Sequence, residues 1–94
     1  MEEDWGTGNI SGVVTDTGGD RIASVAVTVE GTNVSTTTGS DGTYSLDITI
    51  RKTNVVKFQK EGYALVGMTV PYKNFSGGKV SLSPVLEVAD AIIT

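Results

Sequence analysis

The chain has 94 residues, with 7 basic and 11 acidic side chains and a net charge of -4. That leaves room for one domain; the sign of the charge repels phosphate backbones and anionic lipid surfaces, and no apolar run approaches the roughly 20 residues needed to cross a bilayer, so nucleic-acid binding and direct membrane insertion are not expected. It has no His and no Cys, and so lacks the usual neutral-pH acid/base group, the commonest zinc ligands and the thiol nucleophile; no catalytic residue, cofactor or metal site is expected.

Thirteen Val, 6 Ile and 13 Thr beside 12 Gly and only 2 Pro favour short strands joined by tight turns. Residues 1–8 read as a flexible acidic lead that carries Trp5. Alternation of inward apolar and outward polar positions begins at Ile10, Gly12 and Val14. After the turn Asp16-Thr17-Gly18-Gly19-Asp20 it resumes at Val25, Val27 and Val29, and after Gly31-Thr32-Asn33 at Val34, Thr36 and Thr38. Asp41-Gly42 then predicts a hairpin with positive φ at both central residues, because Gly has no Cβ to clash and Asp tolerates the left-handed region. The clearest run follows, Tyr44, Leu46, Ile48 and Ile50 interleaved with Ser45, Asp47 and Thr49. Beyond it come Val56 and Phe58, the turn Glu61-Gly62-Tyr63, then Val66, Met68 and Val70. Tyr72 and Phe75 flank Lys73-Asn74 in a loop, Ser76-Gly77-Gly78 turns the chain, and Val80 and Leu82 make the last run. No stretch keeps a 3.6-residue apolar period, so no helix is predicted, except at the C-terminal end. Seven strands with one apolar face each would leave that face wet in a single open sheet, and two stacked sheets bury it. The expected fold is all-β, a seven-stranded Greek-key β-sandwich.

The run Ile10-Ser11-Gly12-Val13-Val14-Thr15-Asp16, followed by Gly19, Ile22, Val25, Val27, Val29, Gly31-Thr32, Thr36, Thr38, Asp41-Gly42, Tyr44 and Leu46, resembles the carboxypeptidase regulatory-like domain. Phe58, Glu61-Gly62-Tyr63 and Val80-Ser81-Leu82-Ser83-Pro84 extend the resemblance over roughly residues 9–86. It implies a transthyretin-like (prealbumin-like) sandwich, with Gly12, Asp16, Gly19, Gly31, Asp41, Gly42, Tyr44, Gly62 and Tyr63 as its structural motif. It further implies a noncatalytic accessory module, a spacer or docking unit of a larger bacterial extracytoplasmic protein, periplasmic or at the cell surface. Its expected partners are the other domains of the same parent protein, and the module itself is expected to be monomeric. Arg21 stands where this family usually has Pro and Ser24 where it often has Gly, which predicts a wider or more mobile loop there. Residues 87–94 read as a tail or linker. The apolar stretch after Pro84 could also fold back over an open sheet edge or pair with a second copy, but the family's domain usually ends near Pro84 and continues into something else.

Exposed aromatics are the remaining means of binding, and Trp5, Tyr72 and Phe75 are the candidates for a contact patch on a carbohydrate or another surface protein. The alternative function is therefore a carbohydrate-binding module. Asp16 and Asp20 flank one turn, but a calcium ion needs six to eight oxygens converging on one point, and solvated turn carboxylates are the expected reading. Related sandwiches can carry a Lys-Asn isopeptide crosslink between first and last strands; the runs Ile10 to Thr15 and Val80 to Pro84 contain no Lys and no Asn respectively, so no such crosslink is expected.

Overall fold

The alternation read from the sequence becomes strands throughout. The computed structural model describes residues 6–89, so Trp5 with the rest of residues 1–5, and residues 90–94 of the expected tail, lie outside the described residues. The strands are β1 (Thr7–Val13), β2 (Thr15–Asp16), β3 (Ala26–Val29), β4 (Ser35–Thr37), β5 (Thr43–Thr49), β6 (Thr53–Gln59), β7 (Val66–Pro71), β8 (Lys79–Ser81) and β9 (Val85–Leu86). A 3-10 turn, Tyr72–Asn74, follows β7, and no α-helix occurs among the described residues. Each of the seven expected runs is a strand, and the two-residue β2 and β9 are additions the alternation did not signal.

Two sheets form the sandwich: β5-β1-β8 on one side and β4-β3-β6-β7 on the other, with β2 and β9 paired beside the first. Strand β1 is antiparallel to β5 along its whole length, from Thr7↔Thr49 to Val13↔Thr43, and parallel to β8 through Asn9↔Lys79, Ile10↔Val80 and Ser11↔Ser81. Because successive side chains point to opposite faces, the first sheet turns Ile10, Tyr44, Leu46 and Ile48 inward and the second turns Val27, Val29, Val56, Phe58 and Val70 to meet them, all buried. Across the sheets the Tyr44 ring stands edge-on to Phe58, with centroids 5.5 Å apart and planes at 73°.

Tyr44 also explains Gly12, its partner across the β5–β1 ladder. A Cβ on Gly12 would overlap the carbonyl of Leu82, which occupies that space and accepts a hydrogen bond from the Tyr44 hydroxyl at 2.6 Å. Glycine is required at position 12 by close approach of backbone rather than by φ.

The chain departs from expectation at four places. Asp41-Gly42 is a tight turn, with Gly42 N–H donating to Gly39 O at 2.9 Å, but it is not a hairpin, since β4 pairs with β3 and β5 with β1. The turn carries the chain from one sheet to the other, and only Gly42 has positive φ, at 78°. The loop bearing Arg21 and Ser24 is pinned rather than loose: Ile22 is buried, its N–H donates to Val14 O at 3.0 Å, and Ser24 takes φ 63°, the conformation for which Gly is better suited. Thr7 and Gly8, expected in the lead, belong to β1. Glu87, Val88 and Ala89, expected in the tail, return to the Gly62–Ala64 segment: Ala64 N–H donates to Glu87 O at 2.8 Å and Ala89 N–H to Gly62 O at 2.9 Å. The preceding Leu86 is fully buried, so this part of the chain folds back because its apolar side chain has a place in the core.

Two substitutions separate backbone strain from crowding. A Cβ at Gly42 would meet Arg21 Cβ at 2.8 Å and Val14 O at 2.9 Å, whereas at Gly31, with a similar φ of 80°, it would meet nothing within 4 Å. Gly31→Ala should cost about 1 kcal/mol of strain and Gly42→Ala roughly 2–4 kcal/mol, measured by equilibrium denaturation; equal losses would refute the crowding argument. Tyr44→Phe, which keeps the ring and removes only the bond to Leu82, should cost about 1–2 kcal/mol in the same measurement.

Candidate functional site

The outer face of the first sheet is polar by the same alternation that makes its inner face apolar. Ladder register places Asp47, Asn9 and Lys79 side by side across β5, β1 and β8, and Ser45, Ser11 and Ser81 in the next row. Asn9 organises the first row: its Nδ2 donates to Ser45 Oγ at 2.9 Å and to Asp47 Oδ1 at 3.0 Å. Beside it, Thr7, Gly8, Asn9, Asp47, Gly77, Gly78 and Lys79 line a shallow open depression of about 430 Å³. A carboxylate, an amide and an amine in one line can exchange hydrogen bonds with a polar partner.

This row corrects the reading of the crosslink residues. Because β1 begins at Thr7 and β8 at Lys79, an Asn and a Lys do lie in neighbouring strands, directly opposite each other, with an acid beyond. They face solvent, however, with Lys79 and Asp47 exposed and the Asn9 amide engaged by Ser45 and Asp47, which is a hydrated hydrogen-bonded row rather than an apolar reaction chamber.

The aromatic candidates separate. Tyr72 lies in the 3-10 turn, 39% exposed, with its N–H donating to Lys52 O at 3.0 Å. Phe75, three residues on, is half-buried and packs on the core, its N–H donating to Tyr72 O at 3.2 Å. One ring faces outward and the other inward, so the two do not form a single platform.

The motif residues are distributed over turns and strand crossings instead of converging on one point. Asp16 Oδ1 accepts from Gly18 N–H at 2.9 Å and Asp20 N–H at 3.0 Å, closing its own turn. Gly19, Gly31 and Gly62 sit in turns with positive φ. Tyr63 is half-buried against the core and bridges to Val88. Asp41 accepts from the Thr43 hydroxyl at 2.7 Å and from the Thr43 N–H at 3.1 Å. These Thr43 bonds, hydroxyl first, hold the Asp41 carboxyl below its ordinary range, with the Arg21 guanidinium adding to them. Burial pushes the Tyr44 phenol above its ordinary range, so it remains a donor to Leu82.

Two buried polar residues hold the frame: Thr38, which the alternation placed inward without a role, and Asn54, which the sequence reading missed. Thr38 is buried, its Oγ1 donating to Ile22 O at 2.8 Å and accepting from Val25 N–H at 2.9 Å, which clasps the loop before β3. Asn54, 3% exposed, accepts from Arg51 N–H and donates to Arg51 O and Val70 O, each at 3.0 Å, tying the β5–β6 crossing to β7. The signal for Asn54 was present, since it shares the inward parity of Val56 and Phe58, where a polar side chain must find partners.

Strand order, the packed inner faces and the sheet-crossing turns define a prealbumin-like β-sandwich. Solved structures with the same fold include one chain of a C-terminal interface mutant of a type II cohesin-X-dockerin complex from Acetivibrio cellulolyticus, at TM-score 0.70 and 19% identity over 92% of this chain and 61% of that one. A chain of the N-terminal interface mutant of that complex matches at TM-score 0.68 and 23% identity over 92% and 61%. A third match is 3-chlorocatechol 1,2-dioxygenase from Rhodococcus opacus 1CP, at TM-score 0.70 and 13% identity over 95% and 63%. The chain thus spans about three fifths of each of these, and at such identities the likeness is one of fold. No curated protein sequence matches the chain. The family model of the carboxypeptidase regulatory-like domain matches residues 9–82, and the chain belongs to that family.

The depressed Asp41 carboxyl has a signed consequence. Its ionised form stabilises the fold at pH above the ordinary carboxylate range, and the contribution disappears as pH falls through its lowered value. Asp41→Asn, which keeps an acceptor oxygen and drops the charge, should lower the melting temperature at neutral pH, with the gap to the parent chain closing on acidification; a gap independent of pH would refute the assignment.

Proposed function

We propose that the chain is a noncatalytic accessory module, a rigid spacer or docking unit within a larger bacterial extracytoplasmic protein, periplasmic or at the cell surface. The observation that carries this is the parallel pairing of the first strand with the last ones, β1 with β8 and β2 with β9. A polypeptide entering at Thr7 runs the length of the domain and leaves beyond Leu86 at the far end, so neighbouring domains are held in line and apart. Along the strand axis the two ends are roughly 30 Å apart, at about 3.3 Å per residue from Thr7 to Asp16. Family membership supports the accessory role, and the same fold in a chain of a cohesin-X-dockerin complex, an assembly of proteins, supports docking. No helix of the described residues is long and apolar enough to cross a membrane.

The exposed Tyr72 favours a second reading, a carbohydrate-binding module, because one ring can stack on a sugar face. Titration against a glycan panel separates the two. The spacer reading expects no saturable binding, and binding abolished by Tyr72→Ala would replace it. Because the chain has no Cys, paired dyes on Thr7→Cys and Ala89→Cys report the end separation directly. About 30 Å is expected; half that or less would sink the in-line arrangement.

A further inference from the structure

We propose that the parallel seam joining β1 to β8 and β2 to β9 is a force-bearing clamp that keeps the domain folded when the polypeptide is pulled along its length. The inference rests on the in-line spacer reading, since a module inserted between two anchored neighbours is loaded through both of its ends.

Strand direction decides how such a load arrives. In an antiparallel terminal pair joined at one end, tension peels the ladder one bond after another. Here the start of β1 and the end of β9 lie at opposite ends of one parallel seam, so tension slides the strands past each other and loads the bonds together. The bonds that share it run along residues 9–15 on one side and 78–84 on the other. Asn9 N–H donates to Gly78 O at 2.8 Å, Leu82 N–H to Ser11 O at 2.8 Å, Val13 N–H to Ser83 Oγ at 3.3 Å, and Thr15 N–H to Pro84 O at 3.2 Å.

Two features resist sliding beyond the ladder itself. The Leu82 carbonyl sits in the space left by Gly12 and is held there by the Tyr44 hydroxyl, so a shift of β1 against β8 drives backbone into backbone and breaks that bond. Fully buried Ile10 on one strand and Leu86 on the other would both have to leave the core in the same step. Strand β1 is moreover central, gripped on its other flank by β5 from Thr7 to Val13. Forced unfolding is governed by the barrier out of the native state, and contacts that must all break at once are those that raise it.

Single-molecule pulling on the full chain tests this, with handles on introduced cysteine pairs choosing the direction. Handles on Thr7→Cys and Ala89→Cys load the seam in shear; handles on Thr7→Cys and Lys79→Cys, near one end of neighbouring strands, peel it. The rupture force in shear should be at least about twice that in peeling at one loading rate. Tyr44→Phe should lower the shear force and leave the peeling force unchanged. If Tyr44→Phe does not fold, Ser83→Ala, which removes an exposed hydroxyl from the seam, carries the same comparison. Equal forces in the two directions, or a variant effect no larger in shear than in peeling, overturn the clamp. The spacer reading fails separately, on the end separation measured with dyes: ends far apart with equal rupture forces would retain the spacer and remove the clamp.

Discussion

The carbonyl of Leu82 lies where a side chain at position 12 would be, and the Tyr44 hydroxyl closes on it. This contact joins all three elements of the first sheet, because Tyr44 reaches from β5 across β1 to the residue that follows β8. The ring that delivers the hydroxyl is the one that meets Phe58 from the opposite sheet. Burial favours the protonated phenol, so the donor is retained over the pH range in which the carboxylates titrate. Gly12 is thus a packing requirement shared by two sheets and three strands, and the sandwich has little freedom to rearrange around it.

The crossings between the sheets are held by buried polar side chains instead of by apolar ones. Thr38 serves backbone groups of the loop before β3, and Asn54 ties Arg51, between β5 and β6, to Val70 in β7. Both are fully engaged, and no buried side-chain N or O among the described residues lacks a partner. Such groups add little net stability in the folded state but are expensive to strand, and this makes the crossing geometry specific. It also explains how Ser24 tolerates a positive φ: Thr38 O accepts from the Ser24 N–H at 3.0 Å while the Thr38 hydroxyl grips both sides of it.

For function, the consequence is that several of the surface polar groups are already engaged within the fold. Asp16 and Asp41 close turns, and Asp47 holds the neighbouring strand through Asn9. The outer row of the first sheet is hydrated and polar, and the one described aromatic turned substantially outward, Tyr72, has Phe75 turned away from it. The first strands of the chain run parallel to its last described ones, β1 beside β8 and β2 beside β9.

The sequence by itself determined the strands and the fold class, because a period of two, read against Gly and Asp turns, reports which face of each local segment must be buried. Tyr44, Leu46 and Ile48, or Val27 and Val29, need no partner to be recognised as inward. It also determined the family, since the glycines and turn residues from Gly12 to Tyr63 hold fixed places along the chain. The tertiary structure alone decided the pairings between distant segments. Whether Asp41-Gly42 joins paired strands or crosses between sheets depends on β1 lying next to β5, which no local pattern encodes. Two-residue strands such as β2 and β9 are too short to show alternation and exist only because Thr15 and Val85, far apart in the chain, meet side by side. Leu86 likewise carries no local signal of its burial, and only that pairing takes it into the core, since burial is a property of what surrounds a side chain and the surroundings come from the rest of the fold.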